Sequence, residues 1–370
     1  MFPVYLTIFI FTILALFQPS NTPVIIHGQL HVNYGKRALW TCGICFFIIF
    51  VLHSFVNPYF SDLLYYTKAF QNSENYSWKF LFFNNIPGLK AEVGFRLFCK
   101  LISSVTTIPL VFLMASSLLI LYGFYEVTRK YSPMLMLSVL LIMTEVFMQS
   151  VFVLRQYIAM GIILLSYPYI INKKIWQFLG ILTLAYLFHQ TAIVFLPVYF
   201  LYKIKNKKLL FVSMILGGII ISASLATIFK FYVTNFAMAT ASYGEEYLTT
   251  SEKGLNYTMA TMNILILTFR LIVMKSKAFL DGINRLLTII ISLGCILTFV
   301  GIGFTAVARL ALYFTALNFL IIPNTICYLK NNPIRIGAGV SYFILSFYIF
   351  LSYLRQSAFD EIWFFSPGIY

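Results

Sequence analysis

Acidic side chains are scarce in this sequence: 11 Asp and Glu stand against 26 Lys and Arg among 370 residues, and charged residues of both signs reach only 10%. So little charge cannot cover a water-soluble protein of this length, and 61% hydrophobic residues with 39 Phe exceed what one soluble core can hide. Histidine is rarer still, at four, and the five cysteines (Cys42, Cys45, Cys99, Cys295, Cys327) sit mostly inside apolar runs. That placement argues against a disulfide framework, and the Cys42/Cys45 pair has no second pair or ligand-spaced histidine to complete a metal site. Nucleotide-binding loops, zinc spacings and serine-hydrolase elbows are also missing, so no cofactor is expected. The formal net charge of +15 would point to nucleic acid in a soluble domain. Here much of it lies in short loops between apolar spans, where it sets orientation, and no nucleic-acid partner is expected.

What is present is a succession of apolar runs of nearly bilayer length, about twelve in all, which predicts an all-α, polytopic integral membrane protein of transmembrane or re-entrant helices. They lie near Phe2 to Phe17, Ala38 to His53, Thr106 to Tyr125, Met134 to Phe152, Gln156 to Ile171, Ile175 to Phe188, Thr191 to Tyr202, Leu209 to Phe229, Tyr257 to Met274, Leu286 to Phe304, Leu310 to Leu329 and Ile336 to Tyr353. The first run lacks a basic n-region and a small-residue cleavage site, so it reads as a retained span with its N-terminus outside. Alternating sides from there puts Lys36/Arg37, Arg129/Lys130, Lys173/Lys174, Lys203 to Lys208, Lys275/Lys277/Arg285 and Lys330/Arg335 in the cytoplasm, with Asp281 the only acid among them. The chain reads as one membrane domain, residues 1–370, with outer elaborations at about 54–105 and 230–256. The first contains a candidate interfacial helix from Glu92 to Ser103, and the second the acidic pair Glu245-Glu246.

Three hairpins then carry a basic residue near the tip that faces away from the cytoplasm: Arg155, His189 and Arg309. A guanidinium stays charged in any accessible setting and can grip two phosphate oxygens, which suits Arg155 and Arg309 to a pyrophosphate at a membrane edge. The rival reading is an arginine that snorkels to headgroups or pairs with an acid. Gly301 and Gly303 precede Arg309, where backbone can bend or approach closely. Only 28 residues separate Lys174 from Lys203, so this stretch is either one tilted span or a short hairpin; the basic flanks on both sides favour the hairpin, with His189-Gln190 at its recessed, wet tip. Histidine there is either a base or a hydrogen-bonded structural residue. Glu145 lies ten residues before Arg155, roughly 15 Å down its helix, and pairing with an arginine is the expected role. Asp62 and Glu92 stand on the outer loop within reach of a hydroxyl-bearing substrate.

Taken in order, Asp62-x-x-x-Tyr66, Glu92-x-Gly94-Phe95, Arg155-Gln156-x-x-Ala159, Phe188-His189-x-x-Ala192 and Arg309-x-x-x-Tyr313-Phe314 resemble the EpsG family. That family looks continuous with Wzy-type O-antigen and exopolysaccharide polymerases, and the likeness covers residues from about 50 to 320. Family members commonly carry an Arg and a Gly just before the loop Asp, where this chain has the stretch from His53 to Ser61 ahead of Asp62. The resemblance implies a GT-C-like glycosyltransferase in the bacterial inner membrane, its active site facing the periplasm. Its substrate would be an undecaprenyl-pyrophosphate-linked oligosaccharide, with membrane lipid around it and a chain-length regulator and a flippase as partners. His189, Glu92 and Asp62 are then candidate bases, Arg155 and Arg309 pyrophosphate ligands, and Gln156, Gln190, Glu145 and Tyr313 supporting residues. An O-antigen ligase, a flippase or transporter, and a membrane O-acyltransferase are the competing readings.

Overall fold

A computed structural model of the chain describes residues 2–17, 24–26, 29–31, 34–60, 62–232, 253–280, 282–303 and 305–356. Apart from a two-stranded pairing of Val24–Ile26 with Gln29–His31, the regular structure among the described residues is helical. The pair Glu245-Glu246 and Asp281 lie outside the described residues.

Each of the twelve apolar runs contains described helix. Among the described residues, six helices are long and apolar enough to span a bilayer, and a seventh counts if a pair bent by 43° is one span. Val4–Leu14, Leu154–Leu164 and Ile175–Phe188 are shorter apolar helices. The breaks have local causes. The fifth run divides into Leu154–Leu164 and Tyr167–Ile171, and the seventh into a 3-10 turn, Gln190–Phe195, and Leu196–Lys203; in both, a proline sits in the first turn of the second helix. Proline favours that position because it has no N–H to leave unpaired. The eleventh run bends between Thr305–Thr315 and Asn318–Ile326.

Packing divides the chain into two compact units, Met1–Val24 with His31–Ile193 and Leu329–Tyr370, and Ile25–Leu30 with Val194–Tyr328. The first contains α1 (Phe2–Phe17), α2 (Lys36–Ser54), α3 (Asp62–Ser73), α4 (Trp78–Phe83), α5 (Val93–Ser103), α6 (Pro109–Tyr131), α7 (Leu135–Leu141), α8 (Phe147–Phe152), α9 (Leu154–Leu164), α10 (Tyr167–Ile171) and α11 (Ile175–Phe188). A π-helical turn, Ile142–Val146, joins α7 to α8 and holds Glu145. Where α6 crosses α9, a Cβ on Gly123 would stand 1.9 Å from the Gly161 carbonyl oxygen, so the two backbones touch directly. Small residues at such crossings are how helices associate without a hydrophobic driving force between them. Polar pins complete the packing: His53 bonds through Nδ1 to Ser117 Oγ at 2.7 Å and through Nε2 to Ser150 Oγ at 2.9 Å, uniting α2, α6 and α8. The final helix of the chain, Asn332–Gln356, returns to this unit, where Ser346 meets Thr144 of the π-turn at 2.6 Å.

The second unit is built from α12 (Leu196–Lys203), α13 (Lys207–Tyr232), α14 (Lys253–Met274), α15 (Ile283–Val300), α16 (Thr305–Thr315) and α17 (Asn318–Ile326), which makes the C-terminal helix α18. Its centre holds a fully buried Arg270, whose Nε donates to Thr288 Oγ1 at 3.0 Å, Nη1 to Thr325 Oγ1 at 2.8 Å and Nη2 to the Asn284 carbonyl at 2.9 Å. Three donors thus tie α14, α15 and α17 together. Arg285, expected in a basic loop, is instead buried in α15 with its guanidinium 5.6 Å from the Tyr202 ring centroid. The 3-10 turn before α16 needs Gly301: a Cβ there would lie 2.8 Å from the Ala308 nitrogen. All five cysteines are buried thiols.

Candidate active site

Glu92 is the residue on which the first unit converges. It occupies the N-cap of α5, the helix expected from Glu92 to Ser103 and found over Val93–Ser103. Its carboxylate does not cap that helix. It turns instead toward α9 and the end of α11. Two features put it there. Gly94 has no side chain, and a Cβ in its place would stand 2.6 Å from the Leu187 carbonyl oxygen, so the first turn of α5 rests on the last turn of α11. Arg96 then clamps the preceding loop, donating to the carbonyls of Leu81 (2.8 Å), Phe82 (2.9 Å) and Ala91 (2.8 Å) and to Asn85 Oδ1 (2.9 Å). Four bonds from one guanidinium fix the short helix α4 and the entry to α5 as one piece.

One carboxylate oxygen, Oε2, accepts from Arg155 Nη1 at 2.5 Å. Arg155 lies in the first turn of α9, just after the helix restarts at Val153, whose φ of −115° and ψ of 51° interrupt the run from α8. Tyr157 bridges that interruption through its hydroxyl, which donates to Gln149 Oε1 at 2.7 Å. The guanidinium of Arg155 sits 5.6 Å from the Tyr66 ring centroid and 5.9 Å from that of Phe95, and these two rings meet edge to face. Aromatic faces of this kind hold a cation in place without neutralising it. Arg155 Nε is buried and has no hydrogen-bond partner among the described residues.

The other oxygen, Oε1, faces His189 Nδ1 at 3.0 Å and accepts from the Gln190 backbone N–H at 3.1 Å. The α11 helix ends at Phe188, and His189 is extended, at φ −156° and ψ 115°, with its N–H still bonded to the Ala185 carbonyl. The chain therefore leaves the α-helix at the position where the sequence placed a turn. A carboxylate on Nδ1 sets the ring tautomer and leaves Nε2 as the nitrogen for other chemistry. Side-chain exposures of 11% for Glu92, 17% for Arg155 and 20% for His189 leave the cluster recessed without sealing it from solvent.

Burial alone would raise the Glu92 pKa. The His189 hydrogen bond, the charges of Arg155 and His189 and the Gln190 amide together outweigh it and hold the carboxyl at about 2. Glu92 is thus an anion held between Arg155 and His189.

The remaining predicted residues divide by location. Asp62 is exposed in the first turn of α3, one helical turn ahead of Tyr66. Gln156 is buried beside Arg155, whereas the Gln190 side chain is exposed and contributes through its backbone. Arg155 takes Glu92, not Glu145, as its carboxylate partner at 2.5 Å. Arg309 and Tyr313 belong to α16 of the second unit, Arg309 exposed and Tyr313 buried. The sequence reading missed the parts played by Gly94, Phe95 and Arg96. Gly94 and Phe95 were within the quoted motif beside Glu92, and that adjacency was the available signal.

A family model, the EpsG family, matches residues 39–365 and so takes in every residue of this cluster. No curated protein and no solved structure matches the chain. The match over nearly the whole length, joined to the order of the motifs that build the cluster, places the chain in the EpsG family.

Proposed function

We propose that this protein joins oligosaccharide units carried on undecaprenyl pyrophosphate into a surface polysaccharide, at the periplasmic face of the bacterial inner membrane. The observation that carries this reading is the Arg155–Glu92–His189 arrangement, in which a fixed guanidinium and an imidazole share one carboxylate. Transfer of this kind needs charge stabilised on a departing pyrophosphate and a proton taken from the attacking hydroxyl. The acceptor oxygen forms a bond to the anomeric carbon of the growing chain as the bond from that carbon to the pyrophosphate oxygen breaks. The hydroxyl proton passes to His189 Nε2, and the electron pair leaves with the pyrophosphate toward Arg155. Arg309 is the second pyrophosphate ligand in this scheme.

Glu92 orients His189 and anchors Arg155; a carboxyl held near 2 is too weak a base to take the proton itself. Asp62, exposed one turn from Tyr66, remains the alternative base. The pyrophosphate bond supplies the driving force, so neither a nucleotide nor ATP takes part. A chain-length regulator and a flippase would complete the assembly.

Deleting the gene and resolving surface glycan on a gel tests the reading. A single repeat unit on the acceptor is the expected result. Complete loss of glycan would point to a flippase or a ligase, and unchanged polymer would remove the proposal.

A further inference from the structure

Away from the Glu92 cluster, the first unit has a groove of about 470 Å³ between α2 and α6, lined by Lys36, Trp40, Gly43, Ile44, Phe47 and Tyr125 among others. The α2 residues fall at spacings of four, three, one and three, which is one stripe of a helix. Trp40 is 72% and Phe47 64% exposed. Gly43 makes the notch: a Cβ there would meet only Tyr125 Oη, at 3.9 Å.

The mouth of this groove is basic in a selective way. Arg129 and Lys130 at the end of α6 are both engaged by Glu126, at 2.7 and 2.8 Å. Lys36 has no ion pair or side-chain hydrogen bond among the described residues. It opens α2 beside Gly35, and no side chain caps the helix there. Tyr34, two residues before Lys36, donates its hydroxyl to the Ser132 carbonyl just past α6. An apolar slot ending at an uncommitted ammonium matches a fatty chain bearing an anionic phosphate.

We infer that this groove binds one anionic glycerophospholipid, its acyl chain lying over Gly43 and its phosphate at Lys36. A zwitterionic lipid brings its own ammonium to the phosphate and gains less from Lys36. The inference is independent of the proposed polymerase chemistry, because the groove shares no residue with the Glu92 cluster.

The test is native mass spectrometry of the full chain in detergent with phosphatidylglycerol, phosphatidylethanolamine of the same acyl chains, or a polyprenyl phosphate. One phosphatidylglycerol per chain is expected, retained about fivefold better than phosphatidylethanolamine, as about 1 kcal/mol from one lysine implies. Lys36→Gln should erase that preference. Gly43→Phe, which fills an open notch without meeting backbone, should remove retention of both phospholipids. Leu118→Phe, at a site 58% exposed elsewhere on α6, should change nothing. Equal retention of the two phospholipids by the wild type, undiminished retention in both groove variants, preference for the polyprenyl phosphate, or a second copy of the chain seated there in place of lipid would each overturn the inference.

Discussion

Gly94 and Leu187 are in contact through their backbones: a single methyl group on Gly94 would stand 2.6 Å from the Leu187 carbonyl oxygen and 2.9 Å from its Cβ. Two residues on either side of this contact lie Glu92 and His189, so the approach of α5 to α11 sets the 3.0 Å distance between them.

Gly94→Ala should therefore uncouple the cluster without emptying the core. The backbone cannot yield as a flexible side chain would, and α5 must shift by the better part of an ångström. Misplacing a catalytic group by that much costs on the order of a hundredfold in rate. Polymer made by the variant should be short or absent while membrane protein levels stay close to wild type. Gly180→Ala, at a position on α11 with nothing within 4 Å of a new Cβ, is the control and should be silent.

His189 carries the proton-transfer claim. His189→Ala and His189→Gln should both reduce polymerisation by about a hundredfold to ten-thousandfold, the range for loss of a general base. The glutamine variant separates the roles, because it keeps a hydrogen bond to Glu92 and has no group that exchanges a proton near neutral pH. Full-length polymer from His189→Gln would return this residue to a structural part.

How much of this was legible in the sequence depends on the range of the interaction. Helix ends set where an apolar run gives way to polar residues could be read directly: α1 at Phe2–Phe17 and α11 at Ile175–Phe188 fall where the hydrophobic runs begin and stop. The bends could not, since Thr305–Thr315 and Asn318–Ile326 are together one continuous apolar run. The motifs named Glu92, Arg155 and His189, but they left Glu92 as one of several bases. Only the fold shows it between the other two residues, 63 and 97 positions away in the chain. Arg285 and Arg270 mark the opposite failure. Both sit near basic loops in sequence, and the orienting rule for such loops has nothing to say about an arginine buried against Thr288, Thr325 or Tyr202.

Glu92 should also leave a signature in acid stability. Its folded pKa is depressed, from 4.5 to about 2, so its stabilising contribution is present above the unfolded value and lost as pH falls through the folded one. The whole shift corresponds to about 3 kcal/mol at most. Between pH of about 4.5 and 2 the thermal midpoint of the wild type should therefore fall more steeply than that of Glu92→Gln. The two should differ most at neutral pH and converge in acid. Parallel curves over that range would show that the ion pair contributes nothing to folding.

The arginines provide the last test, because lysine keeps their charge and removes their planar fork. At Arg155 the change should also forfeit the seat over Tyr66 and Phe95, since an ammonium on a flexible stem is not held by two rings as a guanidinium is. A snorkelling or orienting arginine tolerates lysine, whereas one that grips two phosphate oxygens does not. Losing one preorganised donor to a developing oxyanion costs about 3 to 4 kcal/mol, or several hundredfold in turnover. Arg155→Lys and Arg309→Lys should each lose most polymer at normal protein levels. If Arg155→Lys alone fails, the pyrophosphate is held by the first unit and Arg309, exposed on α16, is a surface residue. Wild-type polymer length from both variants would leave Arg155 as a structural partner of Glu92 and Arg309 as a surface residue, and take the pyrophosphate clamp out of the mechanism.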